Sequence, residues 1–488
     1  MKTEVMISLS IYMIAMILIG VWSYRRTSTL SDYMLGGREL GPAVTALSAG
    51  ASDMSGWLVM GLPGAMYLSG ISSLWLPIGL TIGAYFNYLL LAPRLRIYTE
   101  LANDSITIPD YLENRFEDGK SMLRLVSGIV IFVFFIFYTS SGMVSGGTLF
   151  KSAFGLNYNL GLVITGGVVL IYTMFGGFLA VSTTDFVQGA IMFIALILVP
   201  IVAFTHIGSL PPIIHDLHSV NPSLLNLFTG TSFLGVVGLL AWGLGYFGQP
   251  HIIVRFMAIK SVGDLKTARR IGIGWMITTL LGASAVGLIG ISYFLHHGGP
   301  LQNPETVFVQ FSNILFNPLI TGFILAAMLA AIMSTISSQL LVTASAVTED
   351  FYKTFLRRKA SQKELVFIGR LAVFLVAVIA LAISLNPNNT ILSLVSHAWA
   401  GFGSSFGSVI LVSLFWKRMT KWGALAGMVV GGSTVILWLQ AGLSKTLYEM
   451  VPGFAMSLVA VYVISLMTAA PDRTVVKKFE DVETKLGL

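Results

Sequence analysis

Between Leu47 and Met60 the chain reads Leu-Ser-Ala-Gly-Ala-Ser-Asp-Met-Ser-Gly-Trp-Leu-Val-Met, which sets a carboxylate, Asp53, inside an otherwise apolar run. A charged side chain at the bilayer centre costs at least about 2.5–3.5 kcal/mol. Gly50, Ser52, Ser55 and Gly56 around it are weak helix formers that favour local unwinding. Backbone freed by such a break at mid-membrane depth can hold an ion or a polar solute.

The membrane setting follows from composition. Of 488 residues 55% are hydrophobic and only 10% charged, with a mean hydropathy of +0.82, outside the range of a soluble domain. Apolar runs of about 18 or more residues recur from end to end, which excludes a signal peptide followed by a soluble body. Met6 to Val21, followed by Arg25 and Arg26, reads as a retained first helix. The chain has no cysteine, hence no disulfide framework and no thiolate metal site. Its net charge of +7 sits in loops, where it sets topology and does not mark a nucleic-acid partner.

Hydropathy and turn signals predict an all-α membrane protein of about 13 spans, roughly 5–23, 40–68, 74–94, 123–150, 158–179, 186–206, 230–250, 271–295, 312–345, 366–385, 391–416, 423–441 and 450–469. Lysine and arginine then sort by side. With the N-terminus outside, nearly all fall on inner segments, among them Arg94/Arg96/Arg115, Arg255/Lys260, Lys353/Arg357 and Lys417/Arg418. Only Lys2, Lys151 and Lys445 fall outside, and the C-terminus is left in the cytoplasm. Residues 1–470 read as one polytopic domain and 471–488 as a short cytoplasmic tail, too small for a sensing domain. Interrupted stretches at Gly50–Gly56 and Trp242–Pro250 each open a run of five spans, the second to sixth and the seventh to eleventh. Because five is odd, the second run enters from the opposite side, as in an inverted repeat.

The polar pair Ser334-Thr335 in the ninth span can complete a cation site. Unwound carbonyls of Ala51 and Met54, the carbonyl of Ala331 and the two hydroxyls supply five oxygens, the ligand type a hard cation such as sodium takes. Positions 331, 334 and 335 share one helical face. Equally, both hydroxyls can simply bond carbonyls one turn earlier. Asp53 has two compatible readings, as a cap for the orphan amides of Met54 to Gly56 or as an attractor of the cation. Trp242, Tyr246 and Pro250 fall at i, i+4 and i+8, and with Tyr138 and Trp57 can close a small ring-lined cage for a compact zwitterion. Their alternative is plain packing. Asp185 is expected to cap the sixth span on the inner side, with a part in ion release as the alternative. Arg38 either gates the inner mouth or is a topological charge. His397 reads as a packing histidine and Glu349-Asp350 as solvated. No His/Asp/Glu cluster appears at catalytic spacing, so the chain does not read as an enzyme.

Tyr33-Met34-Leu35-Gly36-Gly37-Arg38, Leu47 to Trp57, Tyr246-Phe247-Gly248-Gln249-Pro250-His251, Met333-Ser334-Thr335 and Phe415-Trp416-Lys417-Arg418 with Trp422-Gly423-Ala424 together resemble the solute:sodium symporters, and within them the bacterial sodium/proline symporters. The resemblance implies a LeuT-like core of two inverted five-helix bundles with broken helices two and seven. It further implies one sodium ion (Na+) coupled to one L-proline, carried by alternating access across the bacterial cytoplasmic membrane for nutrition or osmoprotection. Carried over by position, Ala51, Met54, Ala331, Ser334 and Thr335 match the sodium site, and Asp53 an aspartate needed for sodium binding. Ser55, Gly56, Trp57, Tyr138, Trp242, Tyr246 and Pro250 match positions linked to proline, and Arg38 and Asp185 match sensitive cytoplasmic-side positions. Beyond sodium, proline and the lipid bilayer, the resemblance implies no cofactor, nucleic acid or obligate protein partner. Another small solute, such as an amino acid, betaine-like osmolyte or short carboxylate, or a transporter-shaped sensor, are the competing readings.

Overall fold

Hydrocarbon offers the backbone no hydrogen-bond partner, so a chain of this composition must satisfy its peptide groups within helices. The computed structural model describes residues 3–25, 29–229, 231–385 and 390–487; Lys2 and Arg26, counted among the topological charges, lie outside the described residues. Among those described there is no strand, only one isolated bridge between Leu40 and Ile259. The main helices are α1 (Thr3–Tyr24), α2 (Pro42–Asp53), α3 (Trp57–Leu101), α4 (Met122–Phe154), α5 (Tyr158–Ile207), α6 (Phe233–Gly248) and α7 (Pro250–Ala258). They continue as α8 (Leu265–His296), α9 (Pro318–Leu356), α10 (Gln362–Ser384), α11 (Ile391–Phe415), α12 (Lys421–Gln440), α13 (Met450–Met467) and α14 (Arg473–Leu486).

By length and hydropathy ten of these can cross a membrane, or eleven if α6 and α7, bent by 45°, count as one span. The difference from the thirteen expected falls on α3 and α5, whose 45 and 50 residues are each about twice the length that one crossing takes. Both change direction at a glycine in the left-handed region, Gly70 (φ 65) and Gly177 (φ 59). At Gly177 a side chain would also meet the Tyr33 ring at 2.6 Å.

Packing ranks the helices. The membrane windows of α9 and α11 are 83% and 89% buried against 28% for α1, so the helix expected to carry the cation oxygens is central and the first helix is a lipid-facing strut. Close approach is set by small residues. Gly79 and Gly83 on α3 form a G-x-x-x-G pair laid against α6, where a Cβ at Gly83 would fall 2.1 Å from the Gly243 carbonyl oxygen and one at Gly243 2.2 Å from that of Gly79.

Glu349 and Asp350 are buried, against the solvated placement expected for them. Past Ser345, α9 continues as a π-helix that carries both acids against α4 and the Ile108–Phe116 helix. There Arg124 is ringed by Asp110, Glu113, Glu349 and Asp350, while Lys353 pairs with Glu349 at 2.7 Å and Thr107 donates to Asp350 at 3.0 Å. The tail is helical. α14 buries Val475, Phe479 and Val482, and hydrogen bonds from Lys478 and Thr474 hold the Glu117 carboxyl below its usual range.

The glycine contact yields a test. Gly83→Leu is expected to cost about 1–3 kcal/mol through overpacking, lowering the melting temperature and the folded yield read by gel filtration after heating. Gly119→Ala, with nothing within 4 Å of its Cβ, serves as control. A Gly83→Leu protein as stable as the control would show that the two backbones are not in contact.

Candidate functional site

α2 ends where its residues stop favouring helix. The last helical bond runs from the Met54 amide to the Gly50 carbonyl at 2.9 Å, after which Met54 turns to φ −79, ψ 76. Three contacts bridge the gap: the Ser55 amide (2.9 Å) and the Trp57 indole N–H (3.0 Å) both donate to the Asp53 carbonyl, and the Trp57 amide donates to Ser55 Oγ at 3.4 Å. Chain then resumes as a π turn, Trp57–Gly61. Gly56 is required by crowding, since its Cβ would lie 2.4 Å from Ser145 Oγ on α4.

Four of the five expected cation ligands meet across α2 and α9. Ser334 Oγ donates to the Ala51 carbonyl at 2.7 Å and to that of Ala331 at 3.1 Å; Thr335 Oγ1 stands 3.4 and 3.3 Å from the same two oxygens. Both readings of these hydroxyls therefore hold together: each bonds back one turn and each reaches across to the break. Among the described residues no backbone N–H donates to the Met54 carbonyl, the fifth expected ligand. The set is all oxygen, which suits a hard monovalent cation. No group of three or more His, Asp or Glu among the described residues offers an alternative metal site.

The capping reading of Asp53 is corrected. No backbone amide among the described residues donates to its carboxylate, and Ser55 supplies the cap instead. One Asp53 oxygen accepts from the Tyr246 hydroxyl and the other has no partner among the described residues, although the residue is 1% exposed. The carboxylate thus joins the first break to the second with one of its two oxygens left unpartnered among the described residues. Such a group is costly unless a counter-charge lies close.

The second break departs from the expected face. Trp242–Gly248 is a 3-10 helix, in which residues four apart are about 120° out of line, so Trp242, Tyr246 and Pro250 do not line one side. Trp242 and Tyr246 meet through Trp399, whereas Pro250 lines a separate cavity with Thr107, Val254 and Asp350. Trp242 lies 6.3 Å from Trp57 and stacks on Trp399 at 6.2 Å, and Tyr246 meets Trp399 edge-on at 5.2 Å. Pro250 opens α7, and Tyr138 on α4 is buried with its hydroxyl unpartnered, edge-on to His251 at 5.7 Å. Trp399, Gln249 and His251 were not among the expected site residues. The Trp399 indole donates to the Trp242 carbonyl at 2.8 Å over the bare backbone of Gly245, where a Cβ would come within 2.0 Å of it. Gln249 donates to the Trp399 carbonyl at 3.1 Å, and its own oxygen and both His251 nitrogens are buried without partners. The only sequence signal for Trp399 is the glycine-rich run it covers.

Asp185 does not cap a helix. α5 restarts at Gly177, so Asp185 lies two turns inside, fully buried, accepting from Ser48 at 2.7 Å and from Arg255 at 3.2 Å. Arg255, also fully buried, donates further to Ser48 (3.1 Å) and Ser338 (2.6 Å), tying α2, α5, α7 and α9 together. Arg38 donates to Asp104 (2.8 Å), to the Ser105 carbonyl (2.8 Å) and to the Met257 carbonyl (2.7 Å). Beside it the Leu40 amide donates to Ala258 at 3.1 Å and the Lys260 amide to Leu40 at 2.9 Å. The start of α2 is thereby laced to the end of α7. A cavity of about 540 Å³, lined also by Ser393, Lys445 and Tyr448, reaches Trp242.

A family profile described as the sodium:solute symporter family matches residues 33–431. The osmoregulated proline transporter of Bacillus subtilis (strain 168) is 62% identical over 488 residues, covering 100% of this chain and 99% of that protein. The high-affinity proline transporter of the same organism is 64% identical over 472 residues, covering 97% and 100%. Among solved structures, the substrate-bound outward-open state of a Na+-coupled sialic acid symporter matches with a TM-score of 0.83 at 19% identity, covering 97% of this chain and 99% of that one, which speaks for the fold. The LeuT-like architecture with two interrupted helices is thus the fold of this chain, and with the profile spanning most of its length and full-length relatives at 62% and 64% identity, the chain belongs to the sodium:solute symporter family.

Proposed function

We propose that the protein couples the inward movement of sodium to the uptake of L-proline by alternating access. The proline relatives, and an all-oxygen site beside a ring-lined cage, support this reading. One observation carries it: the last turn of α2 and the unwound backbone that follows it are held on one side by Ser334 and Thr335, through the Ala51 carbonyl, and on the other, through Asp53, by Tyr246 of the cage. An ion that orders this backbone orders the solute site in the same step.

In this reading Ala51, Met54, Ala331, Ser334 and Thr335 ligate sodium, and Asp53 offsets its charge while fixing Tyr246. Ser55, Gly56, Trp57, Tyr138, Trp242, Tyr246 and Pro250 surround proline, with ring faces for the pyrrolidine and the free amides and hydroxyls at the breaks for its charged ends. Arg38 and the Asp185–Arg255 pair hold the inner side shut while the outer cavity admits solute. The chain is a single polytopic unit over 1–470, with 471–488 and the N-terminus on the cytoplasmic and outer sides of a bacterial cell membrane respectively. A tenfold sodium gradient and a potential of about 150 mV supply about 1.4 plus 3.4 kcal/mol per ion, enough to concentrate a solute about three thousandfold.

Two measurements separate ion from solute. Thr335→Ala or Asp53→Cys is expected to raise the sodium concentration for half-maximal uptake of labelled proline by about tenfold or more, a loss of about 1.4 kcal/mol; an unaltered sodium dependence would exclude these oxygens from the ion site. Trp242→Ala or Tyr138→Ala is expected to weaken proline affinity by about tenfold while shifting sodium affinity far less. Parallel loss of both would mean that the rings hold the fold and not the solute.

A further inference from the structure

The outer cavity meets the cage at a ring that neither five-span run supplies. Tyr448 belongs to the segment between α12 and α13, and its ring stacks on Trp242 at 5.6 Å with 17° between planes. Trp242 in turn stacks on Trp399 at 6.2 Å and 25°, so three aromatic planes form a column from the cavity into the cage. Tyr448 lines that cavity with Ser393, Ser396 and Lys445. A ring laid face to face on Trp242 covers the tryptophan face that a solute arriving from outside would otherwise meet.

Its position is fastened on both sides to α11. The Tyr448 hydroxyl donates to the Ser396 carbonyl at 2.7 Å. The next residue, Glu449, has a side chain only 1% exposed and pairs with His397 at 2.6 Å. Met450 after it is fully buried, and a Cβ on Gly403 of α11 would come within 2.5 Å of its methyl. These bonds fix one ring at the one place where the outer cavity and the cage share a wall. Ordinary loop packing against a helix end does not call for a buried carboxylate and a hydroxyl bond on consecutive residues.

We infer that Tyr448 is the closing ring of the outer mouth, a positioning residue that sets solute affinity and ring-size selectivity through Trp242, with the Glu449–His397 pair as its latch. The role rests on the cage being the proline site, and the experiment keeps the two apart. In proteoliposomes, Tyr448→Ala raises the KM for labelled proline about tenfold, leaves the sodium dependence within about twofold, and lets the six-membered homologue pipecolate compete more strongly relative to proline. Tyr448→Phe, which keeps the plane, stays within about threefold of the parent KM, and His397→Ala moves KM in the same direction as Tyr448→Ala but less far. The chain contains no cysteine, so Trp57→Cys, on the cage side of Trp242, is a single reporter for an external membrane-impermeant maleimide. Its labelling is about tenfold faster when Tyr448→Ala is added. Equal labelling rates, or a KM that Tyr448→Ala leaves unmoved, overturn the closing ring. Absence of sodium-driven proline uptake in the parent chain overturns the proline reading instead, and the labelling comparison still decides the ring.

Discussion

A carbonyl or carboxylate inside a bilayer has no water to fall back on, and the break at Met54 to Gly56 is arranged around that constraint. The unwound segment is held by Trp57 and Ser55 within its own strand of chain, by Ser334 and Thr335 from α9, and by Tyr246 from the second break. Among the described residues they leave the Met54 carbonyl without a backbone donor and one oxygen of Asp53 without a partner. Oxygens left unmatched in this way are a deficit that a bound cation removes. The rest of the architecture serves to keep that deficit in place, with α9 and α11 packed on nearly every side and glycines letting α3 and α6 touch backbone to backbone.

Local chemistry was legible in the sequence, and distant pairing was not. The two breaks could be placed because glycine and serine density acts over a few residues, and the Ala331/Ser334/Thr335 face because an ordinary α-helix has a known period. The face argument failed for Trp242, Tyr246 and Pro250 because the glycines there tighten the chain into a 3-10 helix, for which the α period does not hold. Asp185 looked like a cap because it follows Ser-Thr-Thr; the helix start that it would cap lies at Gly177, and its true partner, Arg255, is 70 residues away. Glu349 and Asp350 looked solvated because nothing near them in the chain announces Arg124. Trp399 was missed for the same reason. Its indole bond to Trp242 spans 157 residues.

The last two helices fall outside the repeat, yet α12 and α13 pack on each other and on the Gly403–Gly407 turn of α11. That turn is a π-helix built mostly of Gly and Ser, so Met450 comes close to Gly403 and Ser404. α11 also carries Trp399 onto Trp242 of the second break, so the last two helices buttress the element that closes that break.

If Ser334 and Thr335 ligate sodium as proposed, their hydrogen bonds bear on how tightly the ion can be held. Ser334 and Thr335 already donate to the Ala51 and Ala331 carbonyls. For a sodium ion to use all four oxygens, both hydroxyl protons must turn away, which gives up bonds worth about 0.5–1.5 kcal/mol each. Ion affinity is then a difference between new ligand contacts and surrendered hydrogen bonds. The surrendered bonds lower it, against the attraction of Asp53 close by. A modest affinity is what a carrier needs, since an ion held too firmly on arrival would not leave on the other side. When it does leave, the hydroxyls rebond α2 to α9 and the site closes on itself without exposing bare carbonyls to hydrocarbon. The same two side chains thus limit the affinity and stabilise the ion-free state, and this explains why a hydroxyl pair, and not a second carboxylate, faces Ala51.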